Sequence, residues 1–169
     1  TTDATVYIKS ANNNLAATIT PHHLAMNRNA IFQGGIKPHY FCLPILKREA
    51  HRKSLLEAAT SGNPKFFLGT DTAPHLIDDK ESECGCAGIF NSTYCISILA
   101  ELFDQKNSLI MLEAFTSING AKHYKIELNK EKLKISKRKS PVNLLEFLNS
   151  HNQRIKIFHP NFPVYWEVV

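Results

Sequence analysis

The sequence predicts an α/β fold built on parallel strands, with its sheet unfinished within these residues. Three observations predict it. Two short apolar runs, residues 15–20 and 65–69, read as buried strands. A helical pattern over residues 47–61 lies between them, the order of a parallel crossover. Finally, parallel strands need neighbours on both sides and helices on both faces, and two strands with open edges do not make a stable sheet. The sheet is therefore expected to be completed elsewhere.

The elements follow in order. Residues 3–11 carry Ala4, Val6, Tyr7, Ile8 and Ala11 at helical spacing, with Thr2 as the expected cap. Asn12, Asn13 and Asn14 end that helix. The strand 15–20 is partly β-branched and stops at Pro21. Residues 21–44 are interrupted by Gly34, Gly35, Pro38 and Pro44, and a loop this long in a compact domain is more often functional than idle. The helix 47–61 sets Ala50, Leu55, Ala58 and Ala59 on one face, with Gly62 and Pro64 beyond its end. The strand 65–69 has the unbroken apolar character of a strand covered on both faces. Residues 92–103 and 108–115 read as apolar helices, and 121–124 as part of another. Residues 129–140 are lysine-rich, and weak alternation (Ile155, Ile157, then Val164, Trp166, Val168) predicts terminal strands. No internal repeat is visible.

A chain of 169 residues with 43% hydrophobic and 21% charged side chains has the composition of an ordinary globular domain. Disordered, collagenous and disulfide-scaffold classes are excluded. The net charge of +5 permits an anionic partner without requiring nucleic acid. No apolar run approaches the roughly 20 residues of a membrane span, and residues 1–5 carry neither a basic nor an apolar leader. The four cysteines, at 42, 84, 86 and 95, read as reduced thiols, since Cys84-Gly85-Cys86 lacks the spacing and the second pair of a zinc site.

Two stretches carry chemistry. In Phe66-Phe67-Leu68-Gly69-Thr70-Asp71-Thr72-Ala73-Pro74-His75 a buried strand ends in a carboxylate, and an imidazole follows four residues on. The carboxyl ends of parallel strands face ligands. Asp71 there either binds metal or shuttles a proton, or it caps a helix or turn; His75 either reads an anionic group or is a plain loop residue. In Lys80-Glu81-Ser82-Glu83-Cys84-Gly85-Cys86-Ala87-Gly88, the glycines around Ala87 allow backbone to approach a small heterocycle, or else make a flexible loop.

Taken together, residues 14–21, His23-Leu24, Asn27-Arg28-Asn29, Gly34-Gly35, Pro38-His39, residues 42–48, Leu68-Gly69-Thr70-Asp71, Ala73-Pro74-His75, Lys80-Glu81-Ser82 and residues 84–88 resemble the C-terminal part of bacterial-type (class II) dihydroorotase, of the amidohydrolase superfamily. The resemblance is dense from about residue 15 to 124, thins through the lysine-rich tail and touches again at Trp166.

It implies the last two strands and following helices of a (β/α)8 TIM-type barrel, with residues 1–125 as barrel and 126–169 as an extension packed on it. It implies a cytoplasmic homodimer holding two zinc ions per active site and interconverting L-dihydroorotate and N-carbamoyl-L-aspartate in pyrimidine (UMP) biosynthesis. In the hydrolytic direction a zinc-activated hydroxide attacks the ring amide carbonyl. Asp71 matches the carboxylate that takes and returns the proton and also touches zinc. His75 matches the position that binds the substrate carboxylate, and Leu43 and Ala87 match positions that contact the ring through backbone atoms. The His-x-His pair, the bridging carboxylated lysine, two further zinc histidines, and an Arg and an Asn that help hold the substrate carboxylate have no counterpart here. A barrel of this kind takes roughly 250 residues. The residues are thus expected to be the second part of a longer polypeptide, inactive alone.

Other features have plainer readings. His22-His23 resembles a ligand pair, but in extended chain neighbouring side chains point opposite ways. His51 is expected on a solvated basic helix face with Lys47, Arg48, Arg52 and Lys53. Asn27-Arg28-Asn29 reads as a packed loop and Asp78-Asp79 as solvent-facing. The run Lys130, Lys132, Lys134, Lys137, Arg138, Lys139 reads as solvated surface rather than a nucleic-acid site, having no interleaved aromatics. The rivals to a dihydroorotase are a hydantoinase-type cyclic amidohydrolase, against which His75 and residues 84–88 argue, and a catalytically inactive dihydroorotase-like scaffold or subunit.

Overall fold

The computed structural model describes residues 1–150 and 153–169. Helix α1 (Thr2–Ser10) leads to strand β1 (Ala17–Ile19), the short helix α2 (Pro21–Ala25), helix α3 (Glu49–Thr60) and strand β2 (Phe66–Leu68). The strands pair in parallel, Ala17 with Phe66, Thr18 with Phe67 and Ile19 with Leu68. The predicted strand–helix–strand unit is therefore present, with both strands shorter than expected. The sheet contains only these two strands among the described residues, so each has an open outer edge. Gly69 makes the pairing possible at its exit, since a Cβ there would lie 2.6 Å from Thr18 Cβ.

Several local expectations are corrected. Thr1, not Thr2, caps α1, its hydroxyl accepting from the Ala4 N–H at 3.2 Å. Pro21 opens a helix rather than merely stopping a strand, because a proline at the first helical position has no N–H to lose and already holds a helical φ. On α3 the buried residues are Leu56, Ala58 and Ala59, while Ala50 is exposed. Arg52 turns that stripe instead: its guanidinium donates to the Leu24 carbonyl at 2.9 Å and to both Glu49 oxygens at 2.8 and 2.6 Å.

Helix α4 (Ile77–Lys80) follows β2, with Asp78 and Asp79 exposed in its first turn. Helix α5 (Cys95–Gln105) is the central element. Ile98, Leu99, Ala100 and Phe103 have no exposed surface, and even Glu101 is buried, accepting from the Tyr165 N–H at 2.9 Å. A helix apolar on most of its circumference must be covered by others, and α2 lies against it. The segments expected as separate helices near 108–115 and 121–124 run on as one, through a 3-10 turn (Leu109–Met111) and a π-helical turn (Ala114–Ile118) into α6 (Asn119–Tyr124). That run covers β2. Asn119 Nδ2 donates to the Phe66 carbonyl at 3.1 Å, and a Cβ on Gly120 would stand 3.1 Å from the Phe67 ring.

The remaining strands form two antiparallel pairs. These are β3 (Ile135–Lys137) with β6 (Trp166–Val168), and β4 (Phe147–Ser150) with β5 (Gln153–Lys156). β6 lies on α5, and the Trp166 indole donates to Asp104 at 3.3 Å. The lysine-rich run is exposed, with Lys132 on Glu113, Lys137 on Asp104 and Arg138 on Glu167. His51 departs from its expected solvated face. Its Nδ1 accepts from the Thr2 N–H at 3.0 Å, fastening α1 to α3. Lys65 fastens the other end of α1, its ammonium on the carbonyls of Ile8, Lys9 and Ala11, where cations complement orphan carbonyls.

Candidate functional site

The mouth of the parallel pair is where β2 hands over to Asp71. This residue adopts a left-handed conformation (φ 46°), which aspartate tolerates better than most side chains. It is exposed, and its carboxylate has no hydrogen-bond partner among the described residues. It caps no helix. It lines a cleft of about 550 Å³ with His23, Leu43, Lys47, Thr1 and Gly69. Leu43 is 66% exposed there. Burial, with Lys47 close by, lowers the His23 pKa below its ordinary value, and Asp71 opposes that shift.

His75 and Ala87 form a second pair. The His75 Nε2–H donates to the Ala87 carbonyl at 3.1 Å. His75 borders a smaller cavity, about 30 Å³, with Gly88 and Lys80 among its walls. Asp71 and Leu43 thus line one cavity and His75 another, while Ala87 lies in the wall of neither. Backbone joins them: the Gly88 N–H donates to the Phe41 carbonyl at 3.0 Å, and the Ala73 N–H to the Ile89 carbonyl at 3.0 Å. Gly88 has no room for a side chain, since a Cβ would stand 2.7 Å from His75 Nε2 and from Ala73 Cβ. Lys80, which the motif reading left without a role, is buried in this joint and donates to the carbonyls of Phe41, Cys86 and Gly88. Only its place just ahead of a glycine-rich loop signalled it.

A third group lies behind the cleft. His22, His23 and Cys42 bring ligand atoms within 4.8 Å of one another. The expectation that the two imidazoles diverge rested on extended chain; helix α2 instead sets their ring centroids 4.9 Å apart. The hydrogen bonds nevertheless make His22 a poor ligand. The Asn91 amide NH2 is committed to the Thr70 carbonyl at 2.7 Å and faces His22 Nδ1 at 3.0 Å, so Nδ1 accepts and Nε2 carries the proton. Burial, reinforced by His23, pushes the His22 pKa down to about 3, so the ring is neutral. Burial also raises the Cys42 thiol to about 11, away from the thiolate a metal requires. A larger groove, about 930 Å³, is lined by Asn27, Glu49, Arg52 and Phe162 and holds none of the candidate residues.

Fold and site together define a piece of a (β/α)8 barrel that presents a free carboxylate at the carboxyl end of a strand. No family model matches the chain. It is 49% identical over 169 residues to the dihydroorotase of Rhizobium johnstonii, covering 100% of this chain and 49% of that protein. Among solved structures, the dihydroorotase of Campylobacter jejuni superposes with a TM-score of 0.84 at 30% identity over 98% of this chain and 48% of its own. The dihydroorotase of Saccharomyces cerevisiae in complex with 5-fluoroorotic acid gives 0.80 at 27% identity, over 99% of this chain and 49% of its own. The chain is thus similar along its whole length to the C-terminal part of dihydroorotases, and it spans about half the length of these relatives.

Proposed function

We propose that this chain is the half of a zinc-dependent dihydroorotase that carries its proton shuttle, interconverting L-dihydroorotate and N-carbamoyl-L-aspartate in pyrimidine biosynthesis. The observation that carries the reading is Asp71, a carboxylate unbound by its neighbours at the mouth of β2, in a chain that matches dihydroorotases throughout. A catalytic zinc takes three protein ligands and leaves one position open. Asp71 fits as one such ligand because no hydrogen bond among the described residues holds it; the other ligands are assigned to the rest of the barrel. The rest of the barrel, joined as the upstream part of the same polypeptide, supplies them and pairs the open edges of β1 and β2. The 169 residues alone are inactive.

When bound, zinc supplies Lewis acidity toward the ring carbonyl and acidifies a water. Asp71 takes the proton from the attacking water as its oxygen bonds to the carbonyl carbon. It returns that proton to the ring nitrogen as the C–N bond breaks. His75 binds the substrate carboxylate. Its Nε2–H is already spent on Ala87, so the contact falls to Nδ1, which donates only in the imidazolium form. Leu43 and Ala87 offer backbone groups to the ring. The resemblance to dihydroorotases makes the working enzyme a cytoplasmic homodimer. Separately, among the described residues no helix is long and apolar enough to cross a membrane.

The test is hydrolysis of dihydroorotate by the complete reading frame that carries this chain, beside Asp71→Ala. Zinc-dependent turnover that falls by roughly 10²–10⁴-fold in the variant supports the reading. A folded, zinc-loaded wild type that is inert moves the chain to the scaffold reading.

A further inference from the structure

Lys80 lies outside this chemistry, yet it is the most tightly held charge near it. The residue is 3% exposed. Its ammonium donates to the carbonyls of Phe41 at 2.9 Å, Cys86 at 2.6 Å and Gly88 at 2.8 Å. An ammonium has three N–H donors and no acceptor, so these bonds use it completely. A buried lysine normally requires a partner. Here carbonyl dipoles from two separate segments replace both water and a carboxylate.

The bonds dictate how the backbone around Ala87 faces. In a trans peptide the C=O of one residue and the N–H of the next point opposite ways. Turning the Cys86 carbonyl toward Lys80 turns the Ala87 N–H away from it. The next peptide is fixed at both ends, the Ala87 carbonyl by His75 at 3.1 Å and the Gly88 N–H by Phe41 at 3.0 Å. The Phe41 carbonyl, shared by Lys80 and Gly88, anchors the start of the segment that carries Leu43.

We infer that Lys80 is a positioning residue for ring recognition, its buried charge joining the Leu43 and Ala87 segments into one wall and setting the backbone groups that face the substrate. The inference rests on the dihydroorotase reading above. Asp71 receives no bond from Lys80, so the charge governs binding more than chemistry.

Lys80→Met in the complete enzyme keeps the stem and removes the donors. KM for dihydroorotate and Kd for 5-fluoroorotate by calorimetry are both expected to rise about tenfold or more, in parallel, with kcat changed less than about threefold. A folded Lys80→Met with both constants within about twofold of wild type overturns the inference, as does a loss confined to kcat. Should Lys80→Met not fold, Lys80→Ala refolded with propylammonium carries the test. Recovery of 5-fluoroorotate affinity that depends on the amine's length supports the inference, and indifference to the amine overturns it. An inert wild type sinks the dihydroorotase reading instead, which separates the two failures.

Discussion

Asp71 and Lys80 lie nine positions apart and live under opposite rules. The mouth of β2 presents a charged group that is exposed and unbound, on a backbone held at φ 46°. The joint behind it holds a charged group that is buried and fully bonded. A group that must exchange protons with a substrate has to be left open, at some cost in stability. A group that must hold other groups still has to be saturated, because a buried charge without partners is far too costly to persist. The contrast teaches where to look for chemistry in this molecule: at its unsatisfied polar groups, with the satisfied ones as their frame.

The sharpest break comes from Asp71→Asn, which keeps the shape and the tolerance of the left-handed conformation but removes the basic oxygen. In the complete enzyme kcat/KM for dihydroorotate should fall by roughly 10²–10⁴-fold, with thermal stability unchanged. A parallel loss of stability would mean that Asp71 is a structural residue. Gly88→Ala should break both sides of the contrast at once. Its Cβ would stand 2.8 Å from the Ala73 carbonyl oxygen and 2.7 Å from His75 Nε2. Overpacking of this sort costs about 1–3 kcal/mol, read as a lower urea midpoint, and a displaced His75 raises KM in the same variant.

The open group was legible in the sequence and the saturated one was not. A carboxylate placed just after a short apolar run announces itself, because strand ends face ligands whatever the rest of the fold does. Asp71 itself occupies the left-handed position, where a glycine would have marked the turn. Lys80 opens a stretch that the sequence marks as chemical, but its own task is invisible there, since its three carbonyl partners come from tertiary folding. His51 was misplaced for the same reason: its partner Thr2 is 49 residues away. The helix at Pro21–Ala25 does have a signal, a proline at its first position, but a proline marks a strand stop as readily as a helix start. The strand–helix–strand order was readable because apolar runs and helical spacing are local; the π-helical turn at Ala114–Ile118 left no local trace.

A smaller effect tests whether a saturated contact one residue behind Thr1, at the rim of the cleft, leaves chemistry alone. His51→Ala removes the acceptor of the Thr2 N–H, 3.0 Å away, and of the Thr2 hydroxyl, 3.1 Å away. One such bond contributes about 1 kcal/mol. Stability should drop by that order while kcat stays at the wild-type value; a matching fall in kcat would show that α1 bears on the cleft directly.

The smallest effect concerns a second carboxylate, one as saturated as Asp71 is open. Glu49 accepts from Arg52 through both oxygens and from Asn27 Nδ2 at 2.8 Å. The Arg52 hydrogen bonds hold its pKa down to about 2, against an ordinary value of 4.5, with Asn27 and the Lys53 charge assisting. Because the folded value is the lower one, the unfolded chain takes up the proton first as pH falls. The stabilisation is therefore complete above about pH 4.5 and is lost progressively toward pH 2. The Glu49 side chain is 40% exposed, so solvent screening keeps the contribution to about 1 kcal/mol or less. Urea unfolding of wild type and Glu49→Gln should differ by that small amount at pH 7 and converge as the pH is lowered through this window. A difference that stays constant with pH would mean that the substitution acts through something other than the Glu49 charge. Catalysis at pH 7 should be the same in both proteins, because Glu49 borders the outer groove and not the cleft that holds Asp71.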